Sequence, residues 1–215
     1  MTLLAKINAY EEVKKQKVPE EILNTMDRAT DELKATDLEN QGLKAGDIAP
    51  DFTLSNQNGE SLSLSSLTDD SIVILSFYRG AWCPYCNLEL SELQSHLGEF
   101  KERGARLVAV SPQTPDNSLT TIEKNELAFD ILSDQENKIA REFGLVFTLP
   151  ESLKPIYDKF GIDIPAHNGD GSFELPVPAT YVIGKNREII FDFIDADYTT
   201  RLEPSIIVNI LDNLK

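Results

Sequence analysis

The apolar positions fall into two regimes that meet near residue 45. Upstream, Leu3, Ile7 and Tyr10, and then Ile22, Met26, Ala29 and Leu33, recur three or four residues apart, the spacing of one helical face. Pro19 suits the first turn of the second run, where its missing N–H is no loss, and Glu20 and Glu21 favour the positive end of the helix dipole. The pattern predicts a helical hairpin over residues 1–44, read as a packing or dimerisation appendage without chemistry of its own. Downstream, short strands alternate with helices. The near-continuous run SIVILSFY (71–78) predicts a strand buried on both faces of a sheet. RLVAVSP (106–112) reads as the next strand, AFDILSD (128–134) as a short third strand or its approach, and ENKIAREFGL as a helix. ATYVIGKNREIIFDFI (179–194) reads as two strands joined at Lys185–Asn186, and EPSIIVNILDNL as a closing helix. Between the first two strands, Leu90, Leu93, Leu97 and Phe100 share one helical face, and Glu89, Glu92, His96 and Glu99 share the opposite, solvated one. The expectation is one α/β domain over residues 45–215 behind the hairpin.

Charge narrows the partners. With 36 acidic against 20 basic residues and a formal charge of −16, the chain opposes any surface that must neutralise phosphates or anionic lipid. Neither nucleic acid nor membrane is an expected partner. The first residues contain no apolar secretory segment, and no stretch approaches the ~18 apolar residues of a spanning helix, so a cytoplasmic location is expected.

All the sulfhydryl chemistry sits in one place. FYRGAWCPYC places Cys83 and Cys86 directly after the buried strand and at the opening of a helix, the edge where open α/β sheets hold their reactive groups. Pro84 fits the first helical position, and the unpaired N–H groups there favour a thiolate at Cys83. Side chains three apart on a helix are close to disulfide distance, so the pair suits a reversible dithiol. Zinc would need two more ligands, but there is no third cysteine and the only histidines are His96 and His167, both read as surface residues. No metal or other cofactor is expected beyond the cysteine pair. Trp82, Pro84 and Tyr85, which flank and separate the cysteines, are the candidate contacts to a substrate or partner. Arg79 is a candidate for lowering a thiol pKa, with a surface ion pair as the plain alternative.

Three segments, GDIAPDFTLSNQNGESLSLSSL, VILSFYRGAWCPYC and PATYVIGKNREII, together resemble the thioredoxin fold, in the peroxiredoxin-like branch of the alkyl hydroperoxide reductase and thiol-specific antioxidant family. The resemblance implies a mixed sheet flanked by helices, reduction of a peroxide or a disulfide, and regeneration by a thioredoxin-like protein or glutathione. Aligned on the family motif, Cys86 takes the peroxide-attacking position, Cys83 replaces its threonine and Arg79 its proline. Pro178 stands where the family carries an arginine. That substitution resembles the thioredoxin pattern, which implies a cis peptide at Val177–Pro178 facing the cysteines. Arg201, in DADYTTRLEP, is a candidate for the missing guanidinium if its segment folds back. The family alignment nominates Cys86 as nucleophile, whereas helix electrostatics nominate Cys83. A hydroperoxide reductase, a disulfide reductase and a redox-sensing interaction protein are the readings compatible with these residues. The proline- and aromatic-rich stretch 145–178 is a candidate wall or lid.

Overall fold

The computed structural model describes residues 1–214, so only the last residue of the expected 45–215 domain lies outside it. The N-terminal pattern forms α1 (Leu3–Lys17) and α2 (Glu20–Lys34), followed by a single turn, α3 (Leu38–Gln41). Thr2 caps α1 by accepting the Ala5 N–H, and Pro19 stands at the N-cap of α2. A hairpin of β1 (Thr53–Asn56) and β2 (Ser61–Ser63) leads through α4 (Leu64–Asp70) to β3 (Ile72–Phe77), the apolar run read as a central strand. The chain continues through α5 (Pro84–Ser95), α6 (Leu97–Glu102), β4 (Ala105–Ser111), α7 (Pro115–Asn125) and β5 (Asp130–Ser133). The 145–178 region follows α8 (Lys138–Glu142) and holds β6 (Val146–Thr148), α9 (Lys154–Lys159), α10 (Ile164–Asn168) and β7 (Glu174–Pro176). Strands β8 (Ala179–Ile183) and β9 (Ile189–Ile194) and helix α11 (Pro204–Asp212) complete the fold.

The main sheet has the order β2-β1-β5-β4-β3-β8-β9. Strands β3, β4 and β5 run parallel, whereas β8 is antiparallel to β3, with Phe77 opposite Ala179. Strand β3 is therefore paired on both edges and covered on both faces, which is why its sequence lacks the alternation of a half-exposed strand. One face packs beneath α5, α6 and α11 around Ile74, Leu90, Leu93, Phe100 and Ile207, and the other around Leu64, Leu75, Phe143 and Tyr181. Strands β6 and β7 form a separate two-stranded sheet beside the main one.

Helix α1 packs directly into the first of these cores, with Leu3 at 0% and Ile7 at 5% exposure. Its backbone start is held by Glu203, whose carboxylate accepts the Leu3 and Leu4 N–H groups. Met26 and Ala29 of α2 join Leu153, Ile156 and Tyr157 in a third cluster. Burying an aliphatic side chain of this size stabilises by roughly 1.5–3 kcal/mol. We therefore expect removal of residues 1–44 to lower the unfolding free energy by several kcal/mol, since Leu3, Ile7 and Met26 each carry roughly 1.5–3 kcal/mol, and to lower the urea midpoint with it. An unchanged midpoint in the truncated chain would mean that the hairpin is a separable appendage.

Candidate active site

The turn after β3 aims both cysteines inward. Gly80, at φ +152°, adopts a conformation that side chains rarely take, and a Cβ there would lie 2.4 Å from the Trp82 indole nitrogen. The loop is tied down by the Ala81 N–H to Gln113 Oε1 (2.7 Å), by Asn87 Nδ2 to the Ala81 carbonyl (2.8 Å) and by the Cys83 N–H to the Gly80 carbonyl. Cys83 is then the N-cap of α5 and Pro84 its first helical residue, as the spacing predicts. Both cysteines are free thiols and almost wholly buried, Cys83 at 1% and Cys86 at 0% exposure.

Burial alone would raise both thiol pKa values. At Cys83 that effect is outweighed by a hydrogen bond from the Cys86 thiol, the Arg79 and Arg201 guanidinium groups and the Cys86 backbone N–H, which bring it down to about 6. At Cys86 burial prevails, reinforced by the hydrogen bond and negative charge of Cys83, and the thiol is held well above its ordinary range. One thiol is thus set to ionise and its neighbour to stay protonated.

Arg201 does fold back. Its Nε donates to Glu89 Oε2 (2.6 Å), Nη1 to the carbonyls of Tyr198 and Thr200, and Nη2 to Cys86 Sγ (3.4 Å). This corrects the reading of a solvated acidic face, since Glu89 is 3% and Glu92 6% exposed. Glu89 turns inward to meet the guanidinium, and Glu92 is covered by its ion pair with Lys6 of α1. His96 stays partly exposed, ends α5 and breaks the expected continuous helix into two. Burial pushes the Glu89 carboxyl up to about 7 against the opposing pull of Arg201.

Arg79 is also buried, at 2% exposure, rather than in a surface ion pair. Its guanidinium carbon lies 4.9 Å from the Trp82 ring and 4.7 Å from Tyr198, and Nη2 donates to the Tyr157 hydroxyl. Tyr157 comes from α9, so the 145–178 stretch does form a wall of the site. Cys83, Trp82, Pro84 and Tyr85 line a cavity of about 300 Å³ together with Tyr10 and Lys14 of α1. The Tyr85 hydroxyl donates to Glu11 and accepts from Lys14 Nζ (3.0 Å), which fastens α1 to the cysteine helix. Cys86 lies behind Cys83, and Pro178 lines a neighbouring cavity instead. The expected cis bond is absent: no peptide among the described residues is cis. The Val177 N–H bonds to the Leu145 carbonyl and Ala179 already pairs with Phe77, so the chain passes extended from β7 into β8 without a turn.

A model of the AhpC/TSA family matches residues 45–191. The chain belongs to that family. Among curated relatives, Peroxiredoxin Bcp of Escherichia coli (strain K12) is 33% identical over 103 residues, 48% of this chain and 65% of that one. The chloroplastic Peroxiredoxin Q of Populus jackii is 34% identical over 121 residues, 54% of this chain and 56% of that one. The alignments thus span less than two thirds of either relative. Among solved structures, the peroxidoxin BcpB of Mycobacterium tuberculosis superposes with a TM-score of 0.64 at 23% identity, covering 80% of this chain and 99% of that one. Peroxiredoxin 6 of Arenicola marina gives 0.65 at 20%, covering 80% and 74%. These superpositions establish the thioredoxin fold expected from the resemblance. The sequence reading missed Glu89, Tyr157 and Tyr198 as site residues. An acidic residue one helical turn beyond Cys86 was the available signal for the first.

Within this AhpC/TSA site the two guanidinium groups hold the Cys83 thiol down. Arg201→Met removes one cation and should raise the pH at which iodoacetamide labelling of Cys83 is half-maximal. Arg79→Met removes the other and should raise it as well. Labelling profiles that coincide with wild type in both variants would exclude this electrostatic role.

Proposed function

We propose that the protein reduces hydroperoxides through the Cys83–Cys86 dithiol, with Cys83 as nucleophile. The observation that carries this reading is the depressed Cys83 thiol facing a cavity, backed by a protonated Cys86 and two buried guanidinium groups. The Cys83 thiolate attacks the terminal peroxide oxygen, the O–O bond breaks, and the alkoxide leaves and takes up a proton from water. Arg79 and Arg201 offset the negative charge that develops on the oxygens. Cys83 is then a sulfenic acid. Cys86 attacks its sulfur, an S–S bond forms and water leaves, the Cys86 thiol supplying the proton. An external dithiol of the thioredoxin type, or glutathione, returns the pair to thiols. A reducing cytoplasmic compartment, the location expected from the sequence, would keep the pair available as thiols. A cavity of about 300 Å³ around a thiol 1% exposed fits a small oxidant better than the disulfide of a folded protein.

One observation favours a second assignment within the same chemistry. Arg201 Nη2 lies 3.4 Å from Cys86 Sγ, and the family alignment also nominates Cys86 as the attacking thiol. Variants separate the two. Mixing reduced protein with micromolar hydrogen peroxide in stopped flow should change Trp82 fluorescence within a second, because the indole adjoins Cys83 and is the only tryptophan. Cys83→Ser should abolish the change, whereas Cys86→Ser should keep it and trap a sulfenic acid detectable by dimedone. The reverse pattern would make Cys86 the nucleophile, and no response in the wild type would overturn the peroxidase reading.

A further inference from the structure

Arg79 is a buried cation without a carboxylate. Among the described residues no acidic oxygen lies within ion-pair distance of it, its Nε has no hydrogen-bond partner, and its one hydrogen bond goes to the neutral Tyr157 hydroxyl. Arg201 beside it differs, with a carboxylate and two carbonyls. Taking a charge out of water is costly unless opposite charge or several dipoles replace the solvent. Aromatic faces at 4.7 and 4.9 Å replace only part of it. Arg79 also lines two cavities. One holds Cys83, and the other, of about 400 Å³, lies between α2 and the β6–α9 segment. Arg79, Tyr157 and Tyr198 form their shared wall. The second cavity is built from Leu33, Val146, Phe147, Leu149 and Leu153, with Pro178 and the exposed Glu32 also lining it. A largely apolar cavity of this size, with one cation that has no carboxylate and whose only opposing charge is the Cys83 thiolate on its other side, matches the chemistry of an apolar monocarboxylate.

We propose that this second cavity binds an apolar monocarboxylate, its carboxylate on the Arg79 guanidinium and its hydrocarbon against Leu33, Val146 and Leu149. The bound anion neutralises a charge that stabilises the Cys83 thiolate, so occupancy slows thiol reactivity without touching either cysteine. Linkage makes the effect reciprocal: the ligand binds more tightly when Cys83 is not a thiolate. The site stands apart from the peroxidase reading, because it is read through Trp82 and Cys83 in the absence of any peroxide.

The probe is octanoate, with octanol as its uncharged counterpart. Octanoate added to the reduced protein should change Trp82 fluorescence saturably and slow iodoacetamide labelling of Cys83 several-fold, with octanol about tenfold weaker or more, because only the anion engages the guanidinium. Val146→Phe narrows the second cavity and leaves the first, since Val146 lines only the second. It should abolish the octanoate response while labelling without octanoate stays at the wild-type rate. Salt separates this site from loose association with surface lysines. The chain carries −16 overall, so screening its long-range repulsion should strengthen octanoate binding at a buried Arg79, whereas binding to exposed lysines weakens as salt rises. Equal responses to octanol, a wild-type response in Val146→Phe, or binding that weakens with salt would each overturn the proposal.

Discussion

The arrangement around α5 depends on burying two guanidinium groups against one carboxylate. Arg79 and Arg201 both lie inside the protein, and the buried carboxyl of Glu89 meets only Arg201. Such a cluster carries an excess positive charge in a medium that penalises charge, and the group available to remove it is a thiol. The depressed Cys83 pKa follows from this constraint as much as from the helix end. Burial would otherwise keep both thiols protonated. The same balance explains why only one ionises: once Cys83 is a thiolate the cluster is compensated, and a second negative charge at Cys86 would meet the first at hydrogen-bond distance.

That constraint accounts for structure remote from the cysteines. Arg201 reaches Cys86 only because the segment after β9 curls back before α11, and the carbonyls of Tyr198 and Thr200 hold its Nη1. Tyr198 then packs on both Arg79 and Tyr85, so one short segment supplies an anchor for one guanidinium and an aromatic face for the other. On the opposite side α1 contributes Glu11 and Lys14 to the Tyr85 hydroxyl and Lys6 to Glu92. Buried polar groups need partners, and an acidic residue placed on the inner side of the cysteine helix recruits the N-terminal helix to provide them.

Local signals were readable and long-range charge pairs were not. The apolar run of β3, the Cys-x-x-Cys at a helix start and the two N-terminal helices each announce themselves within a window of about a dozen residues, since periodicity and capping are local physics. Glu89 pairs with a residue 112 positions away and Arg79 with one 78 away. With Glu92, His96 and Glu99 following at three- and four-residue spacing, Glu89 looks like one more solvated acid, and only the return of Arg201 makes it an interior one. Pro178 shows the converse error. A resemblance suggested a bent chain facing the cysteines, yet strand pairing on both sides of it keeps the backbone extended and directs the ring into the adjoining cavity.

The departures from the family motif form one consistent exchange. Where the family pattern has an arginine on the strand that becomes β8, this chain has Pro178, and its guanidinium groups arrive instead from the turn after β3 and from the segment before α11. The motif threonine, a neutral hydroxyl, is replaced by Cys83, which ionises. A cation that served a single thiolate from the strand would sit opposite the helix. Two cations flanking the start of α5 serve both sulfurs, Arg201 in contact with Cys86 and Arg79 beside the cavity that Cys83 faces. For the proposed dithiol cycle this matters at the second step. When Cys86 must act on an oxidised Cys83, the charge that held Cys83 as thiolate is released, and Arg201 is already in place to lower the cost of ionising Cys86.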